Sequence, residues 1–352
     1  MTLLYLLAAL LVPSCPAYSQ PVDAHEADAI FKDFRFGSGE ILPELKIHYT
    51  TLGEPVRDKS GAVTNAVLIL HGTGGSGKQF FQPQFASELF GAGQVLDTSR
   101  YFVILPDNIG HGGSSKPSDG MKMGFPKYDY SDMVRAQYRL VTETLGIKKL
   151  KLILGTSMGC MHAFTWGTEL QTGVERLAPF ACLPVEIAGQ NRMWRKLSID
   201  AIKADPAWNG GNYSSPPYSG LRTAAALTLV AGANPLAMQS QYPTRDASEK
   251  YTDDAFARAI TRNDANDIIY QLDSSRNYNP WALLENIRVP VLWINSEDDF
   301  INPANYGITE RALRRMPTTK FILIAASPET KGHGTHSWAK FWKDDLALLM
   351  AQ

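Results

Sequence analysis

Short, unbroken apolar runs recur along this chain, most of them followed by a stretch with helical periodicity. The runs are residues 66–70 (Ala-Val-Leu-Ile-Leu), 101–105, 151–154, 177–183, 289–295 and 320–325. A run that is apolar at nearly every position, without alternation, suits a strand covered on both faces, as in a parallel sheet. Segments 80–90, 131–145 and 158–170 are the helical partners, with Ser131 placed to cap the second and Gly146 to stop it. Looser alternation over 36–54 predicts a hairpin of edge strands. From 185 to 285 the strand pattern disappears. Segments 190–204, 221–230 and 253–272 read as helices there, with Gly, Asn, Pro and Ser gathered at 208–220. A closing helix is predicted over 337–350. The expected fold class is α/β: a mostly parallel sheet with helices on both faces and an inserted helical lid. Its core spans 20–184 and 286–352, and the lid 185–285.

The first 19 residues stand apart. Positions 3–12 are almost wholly apolar, followed by Pro13, small residues and Ala17-Tyr18-Ser19. Such a run resembles the apolar region and cleavage site of a signal peptide, and it is too short for a stable membrane span. Export to a periplasmic or extracellular space is therefore expected, or a cytoplasmic location if the leader is retained. Cys15 is a weaker candidate for lipidation. Beyond the leader no run is long and apolar enough to cross a bilayer, so no integral membrane segment is expected. With 34 basic and 35 acidic residues the chain lacks the charge bias that would favour nucleic acid.

Cys160 and Cys182 are the remaining cysteines. Their spacing matches no metal motif, so neither a metal nor a cofactor is expected. A buried inert thiol is the simpler expectation for Cys160, with a bridge to Cys182 open in an oxidising compartment.

Chemistry concentrates where strands end. After the run at 151–154 comes Gly155-Thr156-Ser157-Met158-Gly159. This G-x-S-x-G pattern lets a strand turn sharply into a helix with the serine hydroxyl at the tip. A serine nucleophile needs a base, and the base needs an acid to hold its tautomer. The acid lies in the 296–303 loop, with Asp299 preferred over Asp298 because Pro303 follows four residues later. The base lies in Gly332-His333-Gly334-Thr335-His336, with His333 preferred over His336. The order Ser, Asp, His suits this architecture. Backbone N–H groups of Met158 and Thr73 are the candidate oxyanion donors. His71, His111 and His162 read as structural.

One rival motif is present. Residues 72–78 contain G-x-x-x-x-G-K, a phosphate-cradling pattern, but Gln79 stands where Mg²⁺ coordination wants Ser or Thr. The stretch reads better as an oxyanion loop with a solvated Lys78.

Taken together, the chain resembles the α/β-hydrolase superfamily, and within it the homoserine O-acetyltransferase-like family. The resemblance rests on Phe125-Pro126 with the run at 132–137, the Gly155–Gly159 turn, the segment 201–211 (Ala-Ile-Lys-Ala-Asp-Pro-Ala-Trp-Asn-Gly-Gly) and 263–267 (Asn-Asp-Ala-Asn-Asp). It implies Ser157 as acylated nucleophile, Asp299 as acid and His333 as base. Two features depart from the family. Gly334 stands where its acetyltransferases carry an aspartate that helps hold the amino-acid acceptor, and the 110–117 loop differs. Those departures and the leader favour an exported esterase-like serine hydrolase of small esters. An O-acyltransferase of the homoserine type is the alternative, and a catalytically silent binding protein the third. The expected partner is a small ester or acyl substrate, and a homodimer is compatible with the sequence.

Overall fold

The computed structural model describes residues 24–170 and 173–352. The leader and Cys15 lie outside them. Eight strands form one sheet: β1 (His25–Arg35), β2 (Ile41–Leu52), β3 (Ala66–Leu70), β4 (Phe102–Pro106), β5 (Leu152–Thr156), β6 (Leu177–Phe180), β7 (Val291–Ser296) and β8 (Thr319–Ile324). Their order is β1-β2-β4-β3-β5-β6-β7-β8. The β1–β2 and β2–β4 pairings are antiparallel, and every later pairing is parallel. The hairpin therefore exists, but its first strand lies upstream of the predicted stretch, where buried Ala29, Phe31 and Phe34 stand among exposed residues.

Strand alternation divides the core. Leu68, Leu70, Ile104 and Ile153 face one side, whereas Val67, Ile69, Val103, Leu105, Leu152 and Leu154 face the other. Both sets are buried, which is why β3 and β4 carry no polar side chain and β5 only Thr156 at its end. Covering them are α1 (Pro83–Leu89), α2 (Tyr130–Arg139), α3 (Met158–Thr165), α9 (Ile308–Arg315) and α10 (Lys343–Met350). Asp129, not Ser131, caps α2: its carboxylate accepts the Asp132 N–H at 3.0 Å, and Asp132 returns the bond to the Asp129 N–H at 3.1 Å. This reciprocal box satisfies two otherwise orphaned donors. Ser131 Oγ instead donates to Glu169.

Between β6 and β7 lie α4 (Gly189–Ala204), α5 (Tyr218–Gly232), α6 (Pro235–Gln241), α7 (Arg245–Arg262) and α8 (Ala265–Asp273). The 253–272 helical region is divided between α7 and α8, because Asp264 accepts the Asn266 and Asp267 N–H groups and starts α8. These helices bury a core of their own around Ile199, Ile202, Leu221 and Ile269. Polar ties hold the block to the sheet domain. Tyr270 Oη donates to the Phe125 carbonyl at 2.5 Å, and Asn234 Nδ2 donates to the Thr330 carbonyl at 2.8 Å. Among the described residues no helix is long and apolar enough to cross a membrane.

Candidate active site

The carboxyl ends of β3, β5, β7 and β8 deliver every singled-out loop to one edge of the sheet. At the end of β5, Ser157 adopts φ 56° and ψ −110°, a conformation that L residues rarely take. Two glycines permit it. A Cβ at Gly155 would overlap the Gly159 carbonyl, and one at Gly159 would overlap the Leu70 carbonyl. Gly155→Ala is therefore expected to destabilise the fold by about 3 kcal/mol or more. Urea unfolding checks this, and a loss under 1 kcal/mol would mean that the strand–helix approach is looser than described.

Ser157 Oγ lies 2.8 Å from His333 Nε2, and His333 Nδ1 lies 2.8 Å from Asp299 Oδ2. Asp299 is only 2% exposed. Its other oxygen accepts the Ile301 N–H at 2.8 Å and the Asn302 N–H at 3.1 Å. Burial alone would raise its carboxyl, but His333 and the hydrogen bonds from His333 and Asn302 hold it below the usual carboxylate value. An ionised Asp299 keeps the His333 proton on Nδ1 and leaves Nε2 free to accept from the serine.

Asp298 does something else. Its Oδ2 accepts Thr330 Oγ1 at 2.8 Å and the Gly332 N–H at 3.1 Å, so it shapes the loop that presents His333. Asp298→Ala is expected to lower kcat between about ten- and a hundredfold through misplacement of the imidazole. A loss equal to that of Asp299→Asn would reverse the assignment. His336 packs edge-on against His333 with ring centroids 5.3 Å apart, but it is only partly exposed and the hydrogen bond to Ser157 is made by His333. Burial, then the neighbouring His333, pushes it down to about 3, so it is neutral.

The oxyanion candidates are adjacent. Met158 is the first residue of α3, where an N–H has no intrahelical acceptor. Gly72 packs so close to Ser157 that a Cβ there would meet the serine Cβ at 3.3 Å. The next residue is Thr73, and among the described residues no backbone carbonyl takes its N–H. The phosphate-loop reading of 72–78 has no support in this geometry. Gly77 N–H is spent on Asp107 Oδ1 at 2.7 Å, Gly75 N–H on the Gly72 carbonyl at 3.0 Å, and Lys78 pairs with Glu26 at 3.0 Å.

Several contributors were not singled out from sequence. Asn302 Nδ2 donates to the Ala181 carbonyl at 3.1 Å and reaches Asp299 at 3.3 Å, tying the acid loop to the end of β6. Its place three residues after Asp299 is the spacing of a local side-chain turn, a signal that could have been read. Behind the oxyanion loop, His71 Nδ1 bonds the Gly72 carbonyl at 2.8 Å while its Nε2 accepts the Asn108 N–H at 3.0 Å. Gln137 links Asn108 to His162. His71 and His162 thus share a buried polar network with Asn108 and Gln137; Asn108 carried no sequence signal, and Gln137 marked only the end of the 132–137 run.

Cys160 corrects the simpler expectation of a free thiol. It is disulfide-bonded to Cys182, with Cα atoms 5.9 Å apart. The bridge joins the helix that follows the nucleophile to the end of β6. Among the described residues no cluster of His, Cys, Asp or Glu suits a metal ion.

Known proteins share this fold. Residues 65–326 match the model of the alpha/beta hydrolase fold family. A homoserine O-acetyltransferase of Rhodospirillum rubrum is 30% identical over 286 residues, 72% of this chain and 72% of that enzyme. One from Thermobifida fusca is 35% identical over 197 residues, 52% of this chain and only 50% of that enzyme. In three dimensions, homoserine O-acetyltransferase from Bacillus anthracis superposes with a TM-score of 0.81 at 21% identity, covering 94% of this chain and 98% of that one. An acetylester hydrolase from Corynebacterium glutamicum gives 0.80 at 21% identity, covering 93% and 96%. Strand order, serine turn and sequence kinship agree: the chain belongs to the α/β-hydrolase family, on its homoserine O-acetyltransferase-like branch.

Proposed function

We propose that this protein is an O-acyltransferase of the homoserine O-acetyltransferase type, working through an acyl-enzyme on Ser157. The carrying observation is the unbroken line from Ser157 Oγ through His333 to Asp299, with both bonds at 2.8 Å. Ser157 Oγ attacks the donor carbonyl as its proton passes to His333 Nε2. The Met158 and Thr73 N–H groups receive the developing oxyanion. His333 then returns the proton to the leaving group, and the acyl group remains on Ser157. An acceptor hydroxyl repeats the sequence in reverse: its proton goes to Nε2, its oxygen takes the acyl group, and Ser157 recovers its hydrogen. Sequence kinship to acetyltransferases supports this reading above the esterase expected from the leader and loops.

Hydrolysis is the second reading, in which water takes the acceptor's place. Two observations favour it. Gly334 offers no carboxylate to an amino-acid acceptor, and the Cys160–Cys182 bridge suits an oxidising compartment. A nitrophenyl acetate assay with and without homoserine separates the two. Transfer predicts acetylhomoserine as the main product and faster nitrophenol release as homoserine rises. Free acetate alone, at a rate indifferent to homoserine and to simple alcohols, would overturn the transferase reading. Export is proposed on the same footing, and the mass of the protein's N-terminus recovered from its host tests it.

A further inference from the structure

Two hollows meet at the oxyanion loop. One, of about 370 Å³, lies among α4, α5, α7 and α8, with Trp194, Ala225, Leu229, Phe256 and Leu272 in its wall and Thr73 also in its lining. The other, of about 910 Å³, lies between the glycine-rich loop and Gly110, Lys116 and Asp267. Gly74 and Gln271 line both, so the hollows are neighbours across the residue that follows Thr73. Their chemistry differs. No charged side chain lines the first, whereas Lys78, Lys116, Asp264 and Asp267 line the second.

The first hollow exists because facing positions are small. Ala224 and Ala225 on α5 look across at Ala255 and Ala259 on α7, and the last two share one helical face. Thr73 Oγ1 and Trp194 Nε1, both in residues of this wall, have no hydrogen-bond partner. An apolar hollow of ligand-binding size with a few polar atoms left over is the usual form of a small-molecule site. It is far larger than one methyl group requires.

We propose that the hollow among α4, α5, α7 and α8 receives the acyl chain, so that the enzyme prefers esters of medium-length aliphatic acids to acetates. The proposal rests on the acyl-enzyme reading. The acyl group stays in place through both half-reactions, while leaving group and acceptor must exchange. The apolar branch, lined by no charged side chain, suits the part that stays, and the larger, charged branch suits the parts that change places.

Three measurements test it. Nitrophenyl acetate, butyrate and octanoate are compared with ethyl and octyl acetate. The expected result is a rise in kcat/KM of at least about tenfold from acetate to octanoate, carried mainly by KM. Ala225→Phe should collapse that ratio to near one, and Leu229→Ala should move the optimum to longer acyl chains. Octanoate binding to Ser157→Ala, followed by calorimetry, should be lost on adding Ala225→Phe. A preference that follows the alcohol chain, or no octanoate binding to Ser157→Ala, would overturn the proposal. Ester turnover that survives Ser157→Ala would instead sink the acyl-enzyme reading, while the calorimetry would still decide what the hollow binds.

Discussion

Ser157→Ala is expected to lower kcat/KM for a nitrophenyl ester by on the order of 10⁵-fold while leaving the melting temperature almost unchanged. Ser157 Oγ lies 2.8 Å from His333 Nε2, and its hydroxyl is not a structural cap, since it bonds His333 and not the backbone of α3. Residual activity should come from the oxyanion donors and binding alone. Asp299→Asn is the companion variant, with an expected loss of about ten-thousandfold. An amide at this position presents N–H groups to His333 Nδ1. The imidazole then takes its proton on Nε2 and can no longer accept one from the serine. Asn302 Nδ2, 3.5 Å from Nδ1, stands ready to reinforce that wrong tautomer. More than a tenth of wild-type activity in either variant would remove the assigned chemistry from this site.

Acid is expected to unfold the protein through its buried histidines. Burial drives His71 down to about 4 and His111 and His336 down to about 3, and holds His162 well below its usual value. The unfolded chain binds protons at these positions below about pH 6.5, whereas the folded chain does not. Stability is thus complete above pH 6.5 and declines as pH falls from there toward the folded values. Each group contributes up to about 1.4 kcal/mol per pH unit. Asp267, raised to about 6 mainly by burial, works the other way below pH 6 and offsets roughly one of the four. The net loss between pH 7 and pH 5 should be on the order of 5 kcal/mol, a large part of a typical domain's stability. Urea midpoints at pH 7.5, 6 and 5 give the slope. A flat profile would mean that these rings reach water or a partner in the native state.

Much of the site was legible because each loop announces itself locally. Ser157 sits between glycines that only a strand-to-helix turn demands, and the loops of Asp299 and His333 follow apolar runs. Local chemistry also misled. Ser131 looked like a cap but lost that place to Asp129, whose carboxylate exchanges bonds with Asp132. The division of labour between Asp298 and Asp299 could not be read from adjacent carboxylates, since it depends on Thr330 and Gly332 arriving from another strand.

By itself, the sequence determined the alternation of strands and helices, the sharp turn at Ser157 and the order of the Ser157, Asp299 and His333 loops. These follow from periodicity and steric rules that act over a few neighbours. Tertiary structure alone decided which aspartate meets His333, that Cys160 meets Cys182 and that small residues on α5 and α7 leave a hollow beside Thr73. Those are contacts between segments tens to hundreds of residues apart. Their formation depends on how whole elements pack, which no short window of residues encodes.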